Sequence, residues 1–237
     1  MTGIAAALAS NAALAQDTPH KVLELRQYKI IPGRRDEMIA LFERHFIDSQ
    51  DALGMRIVGT FRDLDDQNRF TWLRTFPDMA AREQELNAFY FGPVWQAYRG
   101  EANPLLDDND NVLLLKPAAP QFAFAPPAGP RPAAEGRAGL VVAMIHYLWK
   151  DPPEGFAAFF ADRLAPQLAA AGLPVLGAYV PENSENTFPR LPVRQHEKVF
   201  VWFTRTNNEA AWRAAASCGA SRSAKKAAKP SGGSFQR

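Results

Sequence analysis

The 237-residue chain holds one cysteine, Cys218. No internal disulfide can form, and there is no CxxC or Cys/His cluster to hold structural zinc. No apolar run approaches the roughly 18 residues that a membrane-spanning helix needs. GxSxG, the phosphate-binding loop, GxGxxG and HExxH are all missing, which removes the usual signatures of hydrolases, nucleotide enzymes and zinc proteases. Asp63, Asp65 and Asp66, like Asp107, Asp108 and Asp110, resemble fragments of a calcium loop. They lack its glycine and distal glutamate and read as turn residues. No metal and no cofactor is expected.

The formal net charge is +2, but it is unevenly placed. Residues 217–237 hold Arg222, Lys225, Lys226, Lys229 and Arg237 and no acid, a charge of +5, so residues 1–216 carry −3. A mildly acidic folded part argues against a nucleic-acid-binding face. The Ser/Gly/Ala/Lys composition of 217–237 reads as a disordered basic tail. Residues 1–20 are an alanine-rich leader in which Ala13-Leu14-Ala15 has the form of a signal-peptidase site, without a basic segment before it. The chain is exported or periplasmic if this is a signal remnant and cytoplasmic otherwise.

Between these ends the same series of signals occurs twice, separated by a proline-rich linker over 118–137. The strand VLELRQYKII, stopped by Pro32-Gly33, corresponds to LVVAMIHYLW, stopped by Asp151-Pro152-Pro153. Met38, Leu41, Phe42, His45 and Phe46 share the helical spacing of Phe156, Phe159, Phe160, Arg163 and Leu164. Gly54–Phe61 then matches Leu173–Tyr179, and Phe70–Arg74 matches Phe200–Thr204, which pairs Trp72 with Trp202. Trp72 lies 13 positions after Gly59, but Trp202 lies 25 positions after Gly177. The second copy therefore has a hairpin loop 12 residues longer. The first copy, over 21–117, continues through a helix near Asp78–Ala88, the segment FYFGPVWQAY and a strand at Asn111–Lys116, giving the order βαββαβ. The second, over 138–216, breaks off after Trp212, one helix and one strand short. The fold class is α+β: tandem ferredoxin-like units, each an antiparallel sheet with helices on one face.

Several first-copy segments together resemble the NIPSNAP family. They are Leu23-Glu24-Leu25-Arg26-Gln27-Tyr28, the Pro32-Gly33 stop, the strand with Trp72, Arg82 on the next helix, Gly92-Pro93-Val94-Trp95-Gln96-Ala97-Tyr98, and Asn111–Pro117. Gly92 stands where the family usually has Asp. The second copy has Ala143 and Tyr147 in place of Glu-x-x-x-Tyr. The resemblance implies a dimeric α/β-barrel-type pseudo-dimer with two sheets face to face, and a homo-oligomer is the expected assembly. It implies no catalytic residues.

Strand alternation puts Leu23 and Leu25 on one face of the first strand and Glu24, Arg26 and Tyr28 on the other. The expectation is that the leucines pack on the helices and the polar triple faces the space between the sheets. Glu24 and Arg26 either pair there or meet a ligand, since an unpaired buried charge costs several kcal/mol, roughly. Trp72 and Arg74 share one parity and offer an aromatic wall and a cation for an anionic head group. His45, on an apolar helix face, is read as a core or rim residue with a candidate ligand role. Trp95 is read as packing with Tyr90, Phe91 and Tyr98, or as lining a substrate. A lone histidine such as His146 is weak evidence for a haem or metal ligand, and His196 falls in the long loop. The ligand candidates are thus Glu24, Arg26, Tyr28, His45, Trp72, Arg74 and Trp95. On this reading Arg26→Ala or Trp72→Ala removes binding without unfolding the chain. Two functions stand side by side: a binding or interaction protein for a small hydrophobic or anionic ligand, or a cofactor-free monooxygenase, cyclase or isomerase acting on a hydrophobic carbonyl or phenolic compound.

Overall fold

A computed structural model describes residues 19–124 and 139–217; the leader, most of the linker and the basic tail lie outside them. The first half runs β1 (Val22–Ile30), α1 (Arg35–His45), α2 (Ile47–Asp51), β2 (Arg56–Arg62), β3 (Arg69–Phe76), α3 (Met79–Tyr90), α4 (Pro93–Ala102), β4 (Leu106–Asp108) and β5 (Val112–Pro117). The second runs β6 (Leu140–Tyr147), α5 (Phe156–Phe159), a π-turn, α6 (Ala165–Ala170), β7 (Val175–Pro181) and β8 (Val199–Thr206), and residues 209–217 after it are helical, which corrects the expectation that the second copy lacks its last helix. The architecture is mixed α+β. One sheet carries the order β2-β3-β1-β5-β7-β8-β6, with the short β4 also on β1, and the named strand pairs are antiparallel.

Local chemistry explains the boundaries. Pro32 blocks further pairing of β1, and Gly33 at φ +80° supplies the turn into α1. Asp78 caps α3 by accepting from the Ala81 amide at 2.8 Å. Pro93 opens α4 at its first turn, where the missing N–H costs nothing. A Cβ on Gly92 would lie 2.4 Å from the Ala88 carbonyl oxygen, so the tight junction between α3 and α4 admits only glycine without a backbone shift.

The apolar residues separate into two layers by strand parity. Tyr28, Phe70, Trp72, Phe76, Val112 and Leu114 face α1, α3 and α4 and pack on Met38, Phe42, Phe46, Leu86 and Phe89. Leu23, Leu25, Leu73, Leu113 and Leu115 face the other way and meet Tyr179, Val199, Val201 and Phe203 of the second half. Both faces of β5 are covered, which is why Val112 to Leu115 is a continuous apolar run.

This reverses the expected polarity of β1. Leu23 and Leu25 fill the space between the halves, while Glu24, Arg26 and Tyr28 point under the helices. Both faces are buried, so neither is a polar outer surface, and Arg82 reaching down from α3 fixes the choice by pairing with Glu24. In the second half a π-turn over Phe160–Leu164 adds a residue to the helical stretch. Such a turn rotates the face that follows it. Phe160 is buried, and Phe159, expected on the same face, is half exposed.

Candidate functional site

Beneath the helices of the first half lies an ionic cluster built on β1 and β3. The register sets Glu24 directly opposite Arg74 and Arg26 opposite Trp72. Glu24 Oε2 accepts from Arg26 Nη1 and from Arg74 Nε, and Glu24 Oε1 accepts from Arg82 Nε, each at 2.7 Å. Arg74 Nη2 and Arg82 Nη2 also approach the carboxylate at 2.7 Å as ion pairs, though without hydrogen-bond alignment. Arg74 Nη1 donates to Gln50 Oε1 at 2.8 Å, and Gln50 Nε2 donates to the Phe46 carbonyl. Arg26 Nε donates to the Tyr28 hydroxyl at 2.8 Å. All four charged side chains are fully buried.

One carboxylate therefore serves three guanidiniums. Burial alone would raise the pKa of Glu24, but Arg74, Arg26 and Arg82 outweigh it and hold the carboxyl well below the usual carboxylate range. Burial pushes the Tyr28 phenol up to about 12, against the opposing pull of Arg26, so it is a neutral hydroxyl at physiological pH.

Beside this cluster is a cleft of about 350 Å³. Tyr28, Phe42, Phe46, Trp72, Phe89, Tyr90, Trp95 and Phe188 form its aromatic wall, and Gln50, Gln96, Asn103 and Asn109 add amides. Trp95 packs at 4.9 Å from Tyr90 and 5.5 Å from Phe46, between ring centroids. Trp72 is tilted on Phe42 at 4.7 Å, and its indole N–H has no acceptor among the described residues. The charged residues on the wall are Arg99 and Arg190, and no carboxylate lines it among the described residues.

Phe188, Arg190 and Leu191 come from the long loop between β7 and β8, which folds back over the first half. Arg82 Nη1 donates to Asn186 Oδ1 at 3.1 Å and Thr187 Oγ1 at 3.3 Å. Phe188 stacks on Tyr90 at 5.4 Å. At its ends the Glu182 amide donates to the Leu114 carbonyl and the Arg194 amide to the Val112 carbonyl. The extra 12 residues seen in sequence thus form the far wall of a site that belongs to the other half.

The structure brings together Tyr28, Trp72 and Trp95 as cleft wall. Glu24, Arg26 and Arg74 lie behind it as the ionic cluster, so Arg74 is committed to Glu24 and Gln50 and does not line the cleft. His45 is half-buried and stacks on Tyr98 at 3.7 Å, outside the wall. His146 is exposed and accepts from Trp202 Nε1 at 3.1 Å, while His196 is exposed at φ 61° in the long loop. Arg99 and Arg190 are not among the candidates that the sequence offers. Arg99 follows Trp95 by four residues and so shares its helical face, a signal that the segment contains. Arg190 has no local signal, since its place depends on the return of the loop.

A second cleft of about 340 Å³ lies on the opposite side, between the outer strands β2 and β6, with Phe61, Arg62, Asp63, Val141, Phe203 and Glu209 among its walls. Its charges are of both signs. Glu85 on α3 is a separate feature. Burial, reinforced by Asp78, raises its pKa to about 7, and Oε2 is unpartnered among the described residues. The ionised form is thus disfavoured on folding. The penalty is absent below the unfolded value of about 4.3 and grows as the pH rises towards 7. Glu85→Gln is expected to raise the melting temperature at pH 8 and leave it unchanged at pH 4, measured by calorimetry at both pH values.

No curated protein matches this chain. The NIPSNAP family model matches residues 23–120. An uncharacterized NIPSNAP-like domain protein from Burkholderia xenovorans is 28% identical, covering 49% of this chain and 98% of its own, with a TM-score of 0.40. A NIPSNAP family protein from Agrobacterium tumefaciens is 21% identical over 42% of this chain and 87% of its own, with a TM-score of 0.39. A Lactobacillus acidophilus protein provisionally named a monooxygenase is 14% identical, covering 83% of this chain and 81% of its own, with a TM-score of 0.51, a likeness of fold. No helix among the described residues is long and apolar enough to cross a membrane. Residues 23–120, which carry the ionic cluster and most of the aromatic cleft, are the part of the chain that the NIPSNAP family model matches.

Proposed function

We propose that this chain is a small-molecule-binding protein made of two ferredoxin-like units arranged as a dimeric α/β-barrel-type pseudo-dimer, with the ligand site under the helices of the first unit. Three features support the tandem arrangement. The strand order β2-β3-β1 recurs as β7-β8-β6. Trp72 and Trp202 each pair with the residue directly after a paired glycine, Thr60 after Gly59 and Ala178 after Gly177. Both hairpins shift register at the same place, between Ile57 and Gly59 and between Val175 and Gly177.

The observation that carries the function is the aromatic cleft closed by a loop from the other half. Pockets of roughly 300–1,000 Å³ with apolar walls and a few polar groups are the usual form of small-molecule sites. The alternative of cofactor-free oxygenation or isomerisation needs a proton acceptor titrating near neutrality. Among the described residues the cleft wall offers two tyrosines, Tyr28, which is protonated there, and Tyr90, and two arginines, with no carboxylate or histidine. Binding is therefore the better-supported reading.

Calorimetric titration with naphthalene-2-methanol tests it. Saturable one-site binding, with a Kd on the order of micromolar, is expected for the full chain. Leu106→Trp, which fills the cleft from β4, is expected to weaken binding at least tenfold while far-UV circular dichroism is unchanged. No saturable binding, or unchanged affinity in a folded Leu106→Trp, overturns the reading.

A further inference from the structure

We infer that the cleft selects planar aromatic carboxylic acids, with Arg99 and Arg190 as the paired anion-recognising groups. The inference rests on the binding reading above and adds the chemical class of the ligand. Arg99 stands in the last turn of α4, and Arg190 arrives from the β7–β8 loop. Neither has a carboxylate partner among the described residues, and Arg190 rests over the Phe91 ring at 5.1 Å. Two unpaired guanidiniums on a wall without any acidic side chain leave an anion as the complementary charge, because a guanidinium presents a fork of donors matched to a carboxylate.

The field behind the wall has the same sign. The Arg26 guanidinium carbon lies 5.2 Å from the centroid of Tyr28 and 5.5 Å from that of Trp72, and that of Arg74 lies 5.0 Å from Trp72. Glu24 offsets only one of the three buried cations around it, so the cleft lies over a net positive core. The aromatic rings accept a flat apolar body, and the two arginines hold its acid. One arginine comes from each half of the chain, so selectivity for the acid depends on the loop being seated by Arg82 and Tyr90.

The test compares naphthalene-2-carboxylate with naphthalene-2-methanol by calorimetric titration of the full chain at low salt, in the wild type and in the double variant Arg99→Gln, Arg190→Gln. The wild type is expected to bind the acid at least about tenfold more tightly than the alcohol. The double variant is expected to bring that ratio close to one. Equal binding of the two probes by the wild type, or a preference retained by the double variant, overturns the acid selectivity while leaving the cleft as a binding site. Binding of neither probe overturns both.

Discussion

Glu24→Gln is expected to lose about 3–5 kcal/mol of stability, because it removes the one carboxylate that three buried guanidiniums share. At roughly 2–4 °C per kcal/mol for a fold of this size, the melting temperature should fall by about 6–20 °C. The pH dependence follows from the same geometry. The pKa of Glu24 is depressed in the folded chain, so its contribution is complete above about pH 4.3 and is lost as the pH falls through the folded value. The difference between wild type and variant, read by calorimetry at pH 7 and again below pH 4, should shrink at the acid end. A variant within a few degrees of the wild type at pH 7 would mean that the guanidiniums find other partners.

Trp72→Ala is expected to cost about 3–5 kcal/mol, the usual range for truncating a buried tryptophan. The side chain is 2% exposed, meets Phe42 and Tyr28, and covers Arg26 and Arg74. Binding and melting temperature should therefore fall together. This differs from what the sequence suggests for Trp72 and Arg26, namely loss of binding in an otherwise intact fold. Chemical denaturation separates the two, since a Trp72→Ala chain of wild-type stability would return Trp72 to a purely ligand-facing role.

The difference has a physical origin in β1. Period-two alternation sorts Leu23 and Leu25 from Glu24, Arg26 and Tyr28 correctly, but alternation says only that two faces exist. When both are buried, polarity no longer marks the outer one. The decision belongs to Arg82, 58 residues away from Glu24, which enters from α3 and makes the helix side the ionic side. Glycine and proline punctuation, by contrast, acts locally. The Pro32-Gly33 turn and the Gly92-Pro93 junction are therefore readable from neighbouring residues alone.

The site is legible to a similar depth. Tyr28, Trp72 and Trp95 belong to strands and a helix whose periodicity is strong, and they do meet on one wall. Arg74 has the right parity for a ligand but a nearer partner in Glu24. The length of the β7–β8 loop is plain in the sequence, but its destination is not. It is set by contacts of Asn186, Thr187 and Phe188 with Arg82 and Tyr90, more than 95 residues earlier in the chain. That return is what adds Arg190 to a cleft formed otherwise by the first half.

The most direct measurement is a crystal structure of the full chain grown with naphthalene-2-carboxylate. Density for the ring system between Trp95 and Phe188, with its carboxylate against Arg99 and Arg190, is the predicted result. Density in the cleft between β2 and β6 instead, or a ring in the aromatic cleft whose acid points away from both arginines, would contradict the account.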